Sequence, residues 1–481
     1  MNFPIIRRVL GIVILFMGAF LFLPTIVGLL YREREALVYL VLAVIYLLLG
    51  TLIAKLPAKE NTFYAKEGLV VVALSWIVLS ILGAIPFVIT KDIPSFTDAL
   101  FETVSGFTTT GSSILENVEA LSHTSLFWRS FTHWVGGMGV IVFILALLPM
   151  TGGYNMHLMR AESPGPSVGK LVPKIKETAK ILYQIYFAMT VAEIVLLIIV
   201  GMPVFDAFCI AFGSAGTGGF GVRADSCASY TMLMQGIITV FIIMFGVNFN
   251  AYYFLLGKNK KEAFRMTEVR AYLGIIAFSI ITITINIRHM YPSLFRSFHE
   301  AAFQVGSIIT TTGFATADFD LWPQYSRCLL VLIMFIGACA GSTGGGIKVS
   351  RVVLLFKTIG QEFRQFLHPR SVTTVVMDGK SVDKRTVRGV CVYLAAYVAV
   401  FAISVLAVAA IESGMDLESV FTSVACTFNN IGPGLSMVGP TKNFFFMTAP
   451  SKYILMFDML AGRLELYPML MLFVPSVWRK N

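Results

Sequence analysis

Long uncharged stretches alternate along the chain with short charged connections. Most of these stretches match the roughly 20 residues that an α-helix needs to cross a bilayer. The stretches without Asp, Glu, Lys or Arg are residues 9–31, 36–54, 68–90, 130–159, 226–257, 328–347 and 389–411. Three weaker candidates bring the prediction to about ten transmembrane helices: residues 181–205, 271–287 and 453–477. The pattern therefore predicts an all-α polytopic membrane protein.

Composition supports this class of protein. Of the 481 residues, 57% are hydrophobic and 13% are charged, whereas a soluble domain has roughly 25% charged residues. So much apolar surface exceeds what a water-soluble interior can hide. Arg7 and Arg8 precede the first apolar stretch. Because that stretch is too long for the core of a signal peptide, we expect it to remain as a helix.

The net charge of +10 would suit a nucleic-acid partner, but its placement indicates membrane orientation instead. With a cytoplasmic N-terminus, 26 of the 37 Lys and Arg residues fall on the cytoplasmic side and eight fall outside. Three more, Arg129, Lys452 and Arg463, lie in or near spans. Basic residues concentrate on the cytoplasmic side of membrane proteins. We therefore predict cytoplasmic termini, contact with membrane lipid and no nucleic-acid partner.

A short pattern recurs four times, and each copy runs from an acid to a glycine. The copies are Asp98 to Gly111, Asp206 to Gly219, Glu300 to Gly313 and Glu418 to Gly432, with steps of 13, 13, 13 and 14 residues. The longer fourth step leaves its register open. An acid favours a helix N-terminus, and a following helix of about ten residues is too short to cross a bilayer. Each copy predicts a half-crossing helix and a loop that lines a pore, because such a loop at membrane depth needs protein or water around it.

Each loop has one predicted helix before it and one after it. The predicted units are residues 65–150, 178–257, 268–359 and 387–477, preceded by two extra helices within residues 1–57. Every unit starts and ends on the cytoplasmic side, so the four copies run parallel, which suits a ring around one pore. Inverted repeats would instead indicate a secondary transporter. Four matched spacings argue against the alternative that these segments are ordinary extracellular loops.

The loop ends supply the groups that a dehydrated cation needs. Rings of backbone carbonyls can replace the water shell of an ion, and glycine reaches the dihedrals that aim consecutive carbonyls one way. The predicted filter residues are Thr108, Thr109, Thr110, Gly111, Gly216, Thr217, Gly218, Gly219, Thr310, Thr311, Thr312, Gly313, Asn429, Asn430, Ile431 and Gly432. The absence of carboxylates among them favours a monovalent ion over Ca²⁺ or Mg²⁺.

Four strings carry a family resemblance: FETVSGFTTTGSS at 101–113, IITTTGF at 308–314, CTFNNIGPGLS at 426–436 and GRLE at 462–465. They resemble the TrkH proteins of the Trk/Ktr/HKT potassium-uptake superfamily over essentially the whole chain. The resemblance implies K⁺ uptake through a gated, channel-like pore in the bacterial cytoplasmic (inner) membrane, with K⁺ as the transported ion and no covalently bound cofactor. The implied K⁺ ligands are Thr109, Thr110, Thr217, Gly218, Thr311, Thr312, Asn430 and Ile431.

The family's filter glycines fall on the four final glycines of the repeated pattern. In some plant HKT relatives the first of these is serine, which accompanies sodium transport. This chain has Gly111 at that position, which supports potassium.

The third unit contains a glycine-rich string, GACAGSTGGGIK, at residues 337–348. It should break its helix, and the break must face protein or water. It differs from a phosphate-binding P-loop because an isoleucine separates its last glycine from the lysine. In TrkH-like proteins the matching segment is an intramembrane loop below the filter, so the resemblance implies a gate; a flexible kink without a gating role is the alternative. The predicted gate residues here are Gly337, Gly341, Ser342, Thr343, Gly344, Gly345 and Gly346.

Arg463 lies inside the last predicted span, with Asp458 and Glu465 nearby. A charge within a membrane helix is costly and marks a functional candidate. The resemblance places Arg463 in the pathway below the filter, where it would oppose cation passage as part of the gate. The alternative is an ion pair with Asp458.

Two other functions compete with a channel-like pore. A secondary transporter would couple K⁺ to H⁺ or Na⁺, and the parallel copies argue against it. An enzyme would need a reactive cluster near the midplane, and the sequence offers none. The basic segment 351–388 is either a lipid-facing charge cluster or a dock for a soluble regulator. The resemblance alone implies a homodimer on a cytoplasmic nucleotide-binding ring of TrkA type.

Overall fold

The protein is described by a computed structural model covering residues 1–56, 65–137, 139, 175–257, 260–370 and 374–479. These residues are mostly helical, with nineteen α-helices and one short β-hairpin among them. All of the predicted filter and gate residues are described. Most of the predicted span at 130–159 lies outside the described residues.

Two long helices open the chain, α1 (Phe3–Leu30) and α2 (Glu35–Lys55). They pack closely against each other because small residues let their backbones approach. A Cβ atom on Gly18 would lie 2.8 Å from the carbonyl oxygen of Ala43. Small residues serve this purpose between membrane helices, where van der Waals contact drives association.

The next two segments follow the order long helix, short helix, loop and further helix. The first contains α3 (Ala65–Thr90), α4 (Phe96–Phe107) and α5 (His123–Gly137). The second contains α6 (Ile175–Ile199), α7 (Val204–Gly216), α8 (Met232–Phe245) and α9 (Phe249–Leu256). A bend of 94° separates α8 from α9, and α10 (Lys260–Arg265) follows.

The same order occurs in the two remaining segments. The third contains α11 (Thr267–Ile287), α12 (Leu294–Ile309), α13 (Gln324–Ile336) and α14 (Val349–Leu367). An antiparallel hairpin then pairs β1 (Val376–Met377) with β2 (Lys380–Ser381). The fourth contains α15 (Lys384–Ile411), α16 (Leu417–Phe428), α17 (Ala449–Arg463), α18 (Tyr467–Met471) and α19 (Pro475–Trp478).

Six helices of the described chain are long and apolar enough to cross a membrane, and the bent pair α8–α9 adds a seventh if counted as one span. Other predicted spans consist of shorter pieces, since α13 stops at Ile336 and α17 stops at Arg463. Leu48 on α2 and Leu406 on α15 are 67% and 70% exposed. Such outward apolar side chains suit lipid rather than water. The count of ten spans stays a prediction.

The four short helices α4, α7, α12 and α16, hereafter the pore helices, lie in the interior. Each packs against the long helix before it and the helix that follows its loop. Phe101 and Phe107 on α4 and Phe303 on α12 are fully buried. This packing holds the four predicted filter segments deep inside the molecule. In chain order we call them loops 1 to 4: residues 108–111, 216–219, 310–313 and 429–432.

Candidate ion pathway

The pore helices begin with polar caps in three of four cases. Ser95, Ser293 and Asp416 each accept a hydrogen bond from the backbone N–H three residues further on. Such caps satisfy N–H groups that have no partner within the helix. Hydrogen bonds from Ser419 lower the pKa of the Asp416 carboxyl, which keeps this cap ionised and favourable at the helix N-terminus.

The caps settle the register of the fourth loop. Helices α4 and α16 both contain 12 residues, counted from equivalent caps. Glu418 lies one position nearer to its cap than Asp98 does to its own. The longer fourth step therefore reflects a shifted acid at the start of the helix, and the loop itself has no extra residue.

The four pore helices end in the same backbone conformation. Thr109, Thr217, Thr311 and Asn430 have φ values of 54°, 54°, 59° and 56°. In each case the N–H of the following residue donates to the carbonyl oxygen of the residue five positions before it, at 2.8 or 2.9 Å. This is a Schellman ending, which glycine usually forms, and the left-handed conformation costs other residues roughly 1–2 kcal/mol. Strain of this kind collects at functional sites.

Two residues further on, the predicted filter glycines form a closed ring. Gly111, Gly219, Gly313 and Gly432 have φ values of 85°, 78°, 86° and 96°, a region that favours glycine. A Cβ atom on each would meet a backbone carbonyl oxygen of the next loop: Gly111 that of Gly218, Gly219 that of Thr312, Gly313 that of Ile431 and Gly432 that of Thr110. The contacts thus run from loop 1 through loops 2, 3 and 4 and return to loop 1.

All four of these glycines line one small cavity of about 170 Å³. The cavity is open to solvent and is also lined by Arg129, Glu116 and Lys442. The structure therefore brings together four residues that are separated by roughly 100 positions or more in the chain. We call this cavity the vestibule.

Several side chains of the predicted filter form hydrogen bonds with one another. The Thr108 and Thr110 hydroxyls form a hydrogen bond of 2.7 Å, and the Thr310 and Thr312 hydroxyls form another of the same length. The Asn430 amide donates to the Thr110 hydroxyl at 2.9 Å and so links loop 4 to loop 1. These hydroxyls and the Asn430 amide therefore have hydrogen-bond partners within the ring.

The acids at the starts of the pore helices are paired with bases. The pairs are Asp98 with Lys452 (2.6 Å), Asp206 with Arg223 (3.3 Å), Glu300 with Arg296 (2.5 Å) and Glu418 with Arg327 (2.5 Å). None of the four acids lines the vestibule, although Arg223, the partner of Asp206, does. The ion pairs neutralise these carboxylates, which favours a structural role for them at the pore helices.

The glycine-rich string lies directly against two filter loops. Its backbone has positive φ at Gly337, Gly341 and Gly346, and no helix continues between α13 and α14. The Gly345 N–H donates to the Thr311 hydroxyl at 2.5 Å. A Cβ atom on Gly344 would lie 2.8 Å from the carbonyl oxygen of Thr310 in the same loop, and one on Gly345 would lie 2.5 Å from that of Asn429 in the fourth loop. Residues 337–348, which we name the intramembrane loop after their predicted location, therefore contact the predicted filter through glycine backbone.

Arg463 binds backbone carbonyls from two other parts of the chain. Its guanidinium donates to Thr343 of the intramembrane loop at 2.6 Å, and to Gly136 and Gly137 at the end of α5 at 2.5 and 2.9 Å. Asp458 instead accepts a hydrogen bond from Ser404 at 2.7 Å. The geometry thus connects Arg463 to the intramembrane loop.

Glu268 binds the intramembrane loop, and the sequence did not predict this contact. This carboxylate is 4% exposed and accepts hydrogen bonds from the N–H groups of Ala340 at 2.6 Å and Ser350 at 3.1 Å. The Asn248 amide donates to it at 3.3 Å. In the sequence, Glu268 resembles an ordinary acid in the first turn of a helix, so only the fold identifies its role.

Comparisons with known proteins agree over the full length. A family model, TrkH, described as a cation transport protein, matches residues 39–295 and 289–480. The Trk system potassium uptake proteins TrkH of Salmonella typhimurium and Escherichia coli are each 37% identical to this chain, with 100% of both chains covered. The crystal structure of the potassium transporter TrkH from Vibrio parahaemolyticus matches with a TM-score of 0.88 at 34% identity, again over 100% of both chains. The chain belongs to the TrkH family of cation transport proteins.

Proposed function

We propose that this chain takes up K⁺ across the bacterial cytoplasmic membrane through a gated, channel-like pore. The observation that carries the proposal is the closed ring of four glycine-centred loops, each packed on a carbonyl of the next. Relatives that match over the full length are named potassium uptake proteins. They are transporters and not enzymes, and the apolar helices suit a multi-pass membrane protein.

The proposed architecture has ten spans and four parallel units around one pore. The units are residues 65–150, 178–257, 268–359 and 387–477, with two further helices in 1–57. The recurring order of helices and the common Schellman endings support this division. Both termini then lie in the cytoplasm, where most basic residues fall.

In the proposed filter, backbone carbonyls replace the water shell of K⁺. The ligands come from Thr109 and Thr110 and from the matching positions of the other three loops. Neutral carbonyl dipoles suit a monovalent cation. The side-chain bonds within the ring support backbone ligation, because they join four threonine hydroxyls in two pairs and direct the Asn430 amide to Thr110.

The proposed gate is the intramembrane loop together with Arg463. Its support is direct contact: Gly345 bonds to Thr311 of the filter, and Arg463 holds the carbonyl oxygen of Thr343. A segment in this position obstructs the pathway below the filter, and a guanidinium there opposes cations. Opening requires the loop to move, and its glycines permit a change of backbone dihedrals.

A homodimer and a nucleotide-binding partner of TrkA type complete the proposal. Both rest on the family resemblance. The exposed part of α14 and the basic connection after it lie on the proposed cytoplasmic side, where such a partner would bind.

The test is K⁺ uptake by the full chain, first in a potassium-transport-deficient strain and then in proteoliposomes. We expect growth at low K⁺ and saturable uptake that exceeds Na⁺ uptake. Single-channel current steps in a bilayer would separate a channel-like pore from a transporter coupled to H⁺ or Na⁺. A chain that reaches the membrane and gives no K⁺ uptake in either system would overturn the proposal.

A further inference from the structure

Two charged side chains lie buried behind the first two filter loops. Glu102 on α4 and Arg129 on α5 are 1% and 3% exposed, and the Arg129 Nε donates to Glu102 at 2.6 Å. Nine positions before the filter glycine, where loop 1 has Glu102, the other pore helices carry Ile210, Gln304 and Ser423. Only the first of these four positions is charged, so the pair makes the ring electrically asymmetric.

Glu102 holds the chain that leaves loop 1. Its carboxylate accepts hydrogen bonds from the Ser113 hydroxyl at 2.9 and 3.1 Å and from the Ile114 N–H at 3.0 Å. These residues follow Gly111 by two and three positions. The carboxylate therefore determines where the chain turns immediately after the first filter glycine.

Arg129 holds the chain that leaves loop 2. Its guanidinium donates to the Gly221 carbonyl oxygen at 2.8 Å and lies over the Phe220 ring, 3.5 Å from the centroid. The His133 ring stacks on the same phenylalanine at 4.1 Å. One ion pair thus links the residues that follow the filter glycine of loop 1 with those that follow the filter glycine of loop 2.

Arg129 also lines the vestibule in which the four filter glycines meet. A guanidinium there would repel an incoming cation, and the paired carboxylate cancels that charge. Removing one member of a buried ion pair leaves an uncompensated charge and costs far more than replacing both members. The two residues are thus expected to act as a unit.

We propose that Glu102 and Arg129 are positioning residues that set the geometry of loops 1 and 2 and cancel each other's charge beside the filter, so that K⁺ affinity depends on their charge balance and K⁺/Na⁺ selectivity depends on the intact pair. The inference rests on the proposed filter function. After loop 3, the Thr316 hydroxyl donates to the buried carboxylate of Glu300, and after loop 4 the Leu435 N–H donates to the Thr422 hydroxyl. The pair of Glu102 and Arg129 differs from these contacts because it joins the residues that follow two loops.

The experiment is a double-mutant cycle measured as K⁺ and Na⁺ uptake in proteoliposomes. The variants are Glu102→Gln, Arg129→Met and the two together, each checked for monodisperse protein by size-exclusion chromatography. We expect Glu102→Gln to raise the KM for K⁺ about tenfold, because it exposes the guanidinium charge, and to lower the K⁺/Na⁺ ratio. The double variant should recover most of the KM, since no buried charge remains, while its K⁺/Na⁺ ratio stays low because Arg129 no longer holds Gly221.

A carboxylate outside the vestibule provides the control. Asp320 pairs with Arg327 at 2.9 Å. Asp320→Asn removes one negative charge and leaves the hydrogen bonds of Glu102 and Arg129 unchanged. We expect this variant to keep the wild-type KM and ratio. An equal KM shift in Asp320→Asn, or additive effects of the two single changes on KM, would overturn the inference.

Two further outcomes keep the test decisive. If Glu102→Gln does not fold, a double variant with wild-type KM and wild-type K⁺/Na⁺ ratio overturns the proposal by itself. If the wild-type chain transports K⁺ and Glu102→Gln leaves both values unchanged, the positioning role fails while the proposed function stands. Absence of K⁺ uptake by the wild type would instead refute the function.

Discussion

At the residue scale, the pathway is defined by backbone conformation. Thr109 and its three equivalents accept left-handed dihedrals, and a glycine follows two positions later. Three of the four glycines meet the neighbouring carbonyl oxygen so closely that any side chain would displace it, whereas a Cβ on Gly432 would lie 3.0 Å from that of Thr110. Closure is therefore loosest between loops 4 and 1.

Gly111→Ser tests the first filter position. The added Cβ would collide with the Gly218 carbonyl oxygen, and φ of 85° strains a non-glycine residue by roughly 1 kcal/mol or more. We expect the K⁺/Na⁺ uptake ratio to fall about tenfold, equivalent to about 1.4 kcal/mol, with protein still in the membrane. Gly236→Ser on α8 is the matched control, because nothing lies within 4 Å of its Cβ position. An unchanged ratio in Gly111→Ser would remove Gly111 from the filter.

Arg463→Ala tests the basic gate residue. It removes a positive charge and three hydrogen bonds to carbonyl oxygens, so we expect K⁺ flux in proteoliposomes to rise several-fold. Arg463→Lys keeps the charge but cannot reproduce the planar, forked donation of arginine. A rise in both variants would assign the effect to the hydrogen bonds, and a rise in alanine alone would assign it to the charge. Wild-type flux and Na⁺ discrimination in both would leave Arg463 a structural role.

At the element scale, the third unit differs by the length of the break in its second long helix: twelve residues separate α13 from α14, whereas three separate α8 from α9 and three separate α17 from α18. Helices α13 and α14 are separated by a loop whose N–H groups and carbonyls bond to filter, neighbouring helix and Arg463. A loop held by hydrogen bonds can be released without unfolding the helices around it. In the proposed mechanism the gating loop belongs to the third unit and Arg463 to the fourth, while the filter belongs to all four units.

Deleting Ala338 to Thr343 should raise K⁺ flux in proteoliposomes, since half of the obstructing segment is removed, six of its twelve residues. The same deletion combined with Gly111→Ser serves as the control, because ions that still cross the filter should then lose K⁺/Na⁺ discrimination. Flux at the wild-type level in folded protein would show that the loop is a kink without a gating role.

Glu268→Gln should loosen the same loop without removing it. The amide cannot match a carboxylate as acceptor for the Ala340 and Ser350 N–H groups, and hydrogen bonds to a charged group contribute roughly 1.5–3 kcal/mol. We expect basal K⁺ flux to rise about tenfold. Glu262→Gln on the exposed helix α10 is the control. Basal flux equal to the wild type would mean that Glu268 does not restrain the loop.

At the scale of the whole molecule, the ring requires all four units to insert in one orientation. The excess of Lys and Arg on one side predicts cytoplasmic termini. A green fluorescent protein fused after Asn481 should therefore fluoresce, and alkaline phosphatase fused there should be inactive. The reverse pattern, in cells where the fusion still supports K⁺ uptake, would invert the proposed topology.

The membrane helices and the filter glycines were predictable from the sequence, because each depends on residues close together in the chain. The length of an apolar stretch determines whether a helix can cross a bilayer, and a left-handed backbone position selects glycine. The positions of Gly111, Gly219, Gly313 and Gly432 follow from that requirement. The family resemblance was likewise carried by short continuous strings, and the comparisons confirmed it.

The contacts that hold the pathway together depend on residues far apart in the chain. Glu102 and Arg129 are 27 positions apart, Glu268 and Ala340 are 72 apart, and Arg463 and Gly136 are 327 apart. No periodicity links such partners, because their proximity results from how helices pack. The sequence by itself determined the membrane class and the repeated filter motif. Only the tertiary structure decided the register of the fourth loop and which buried charges support the filter and the intramembrane loop.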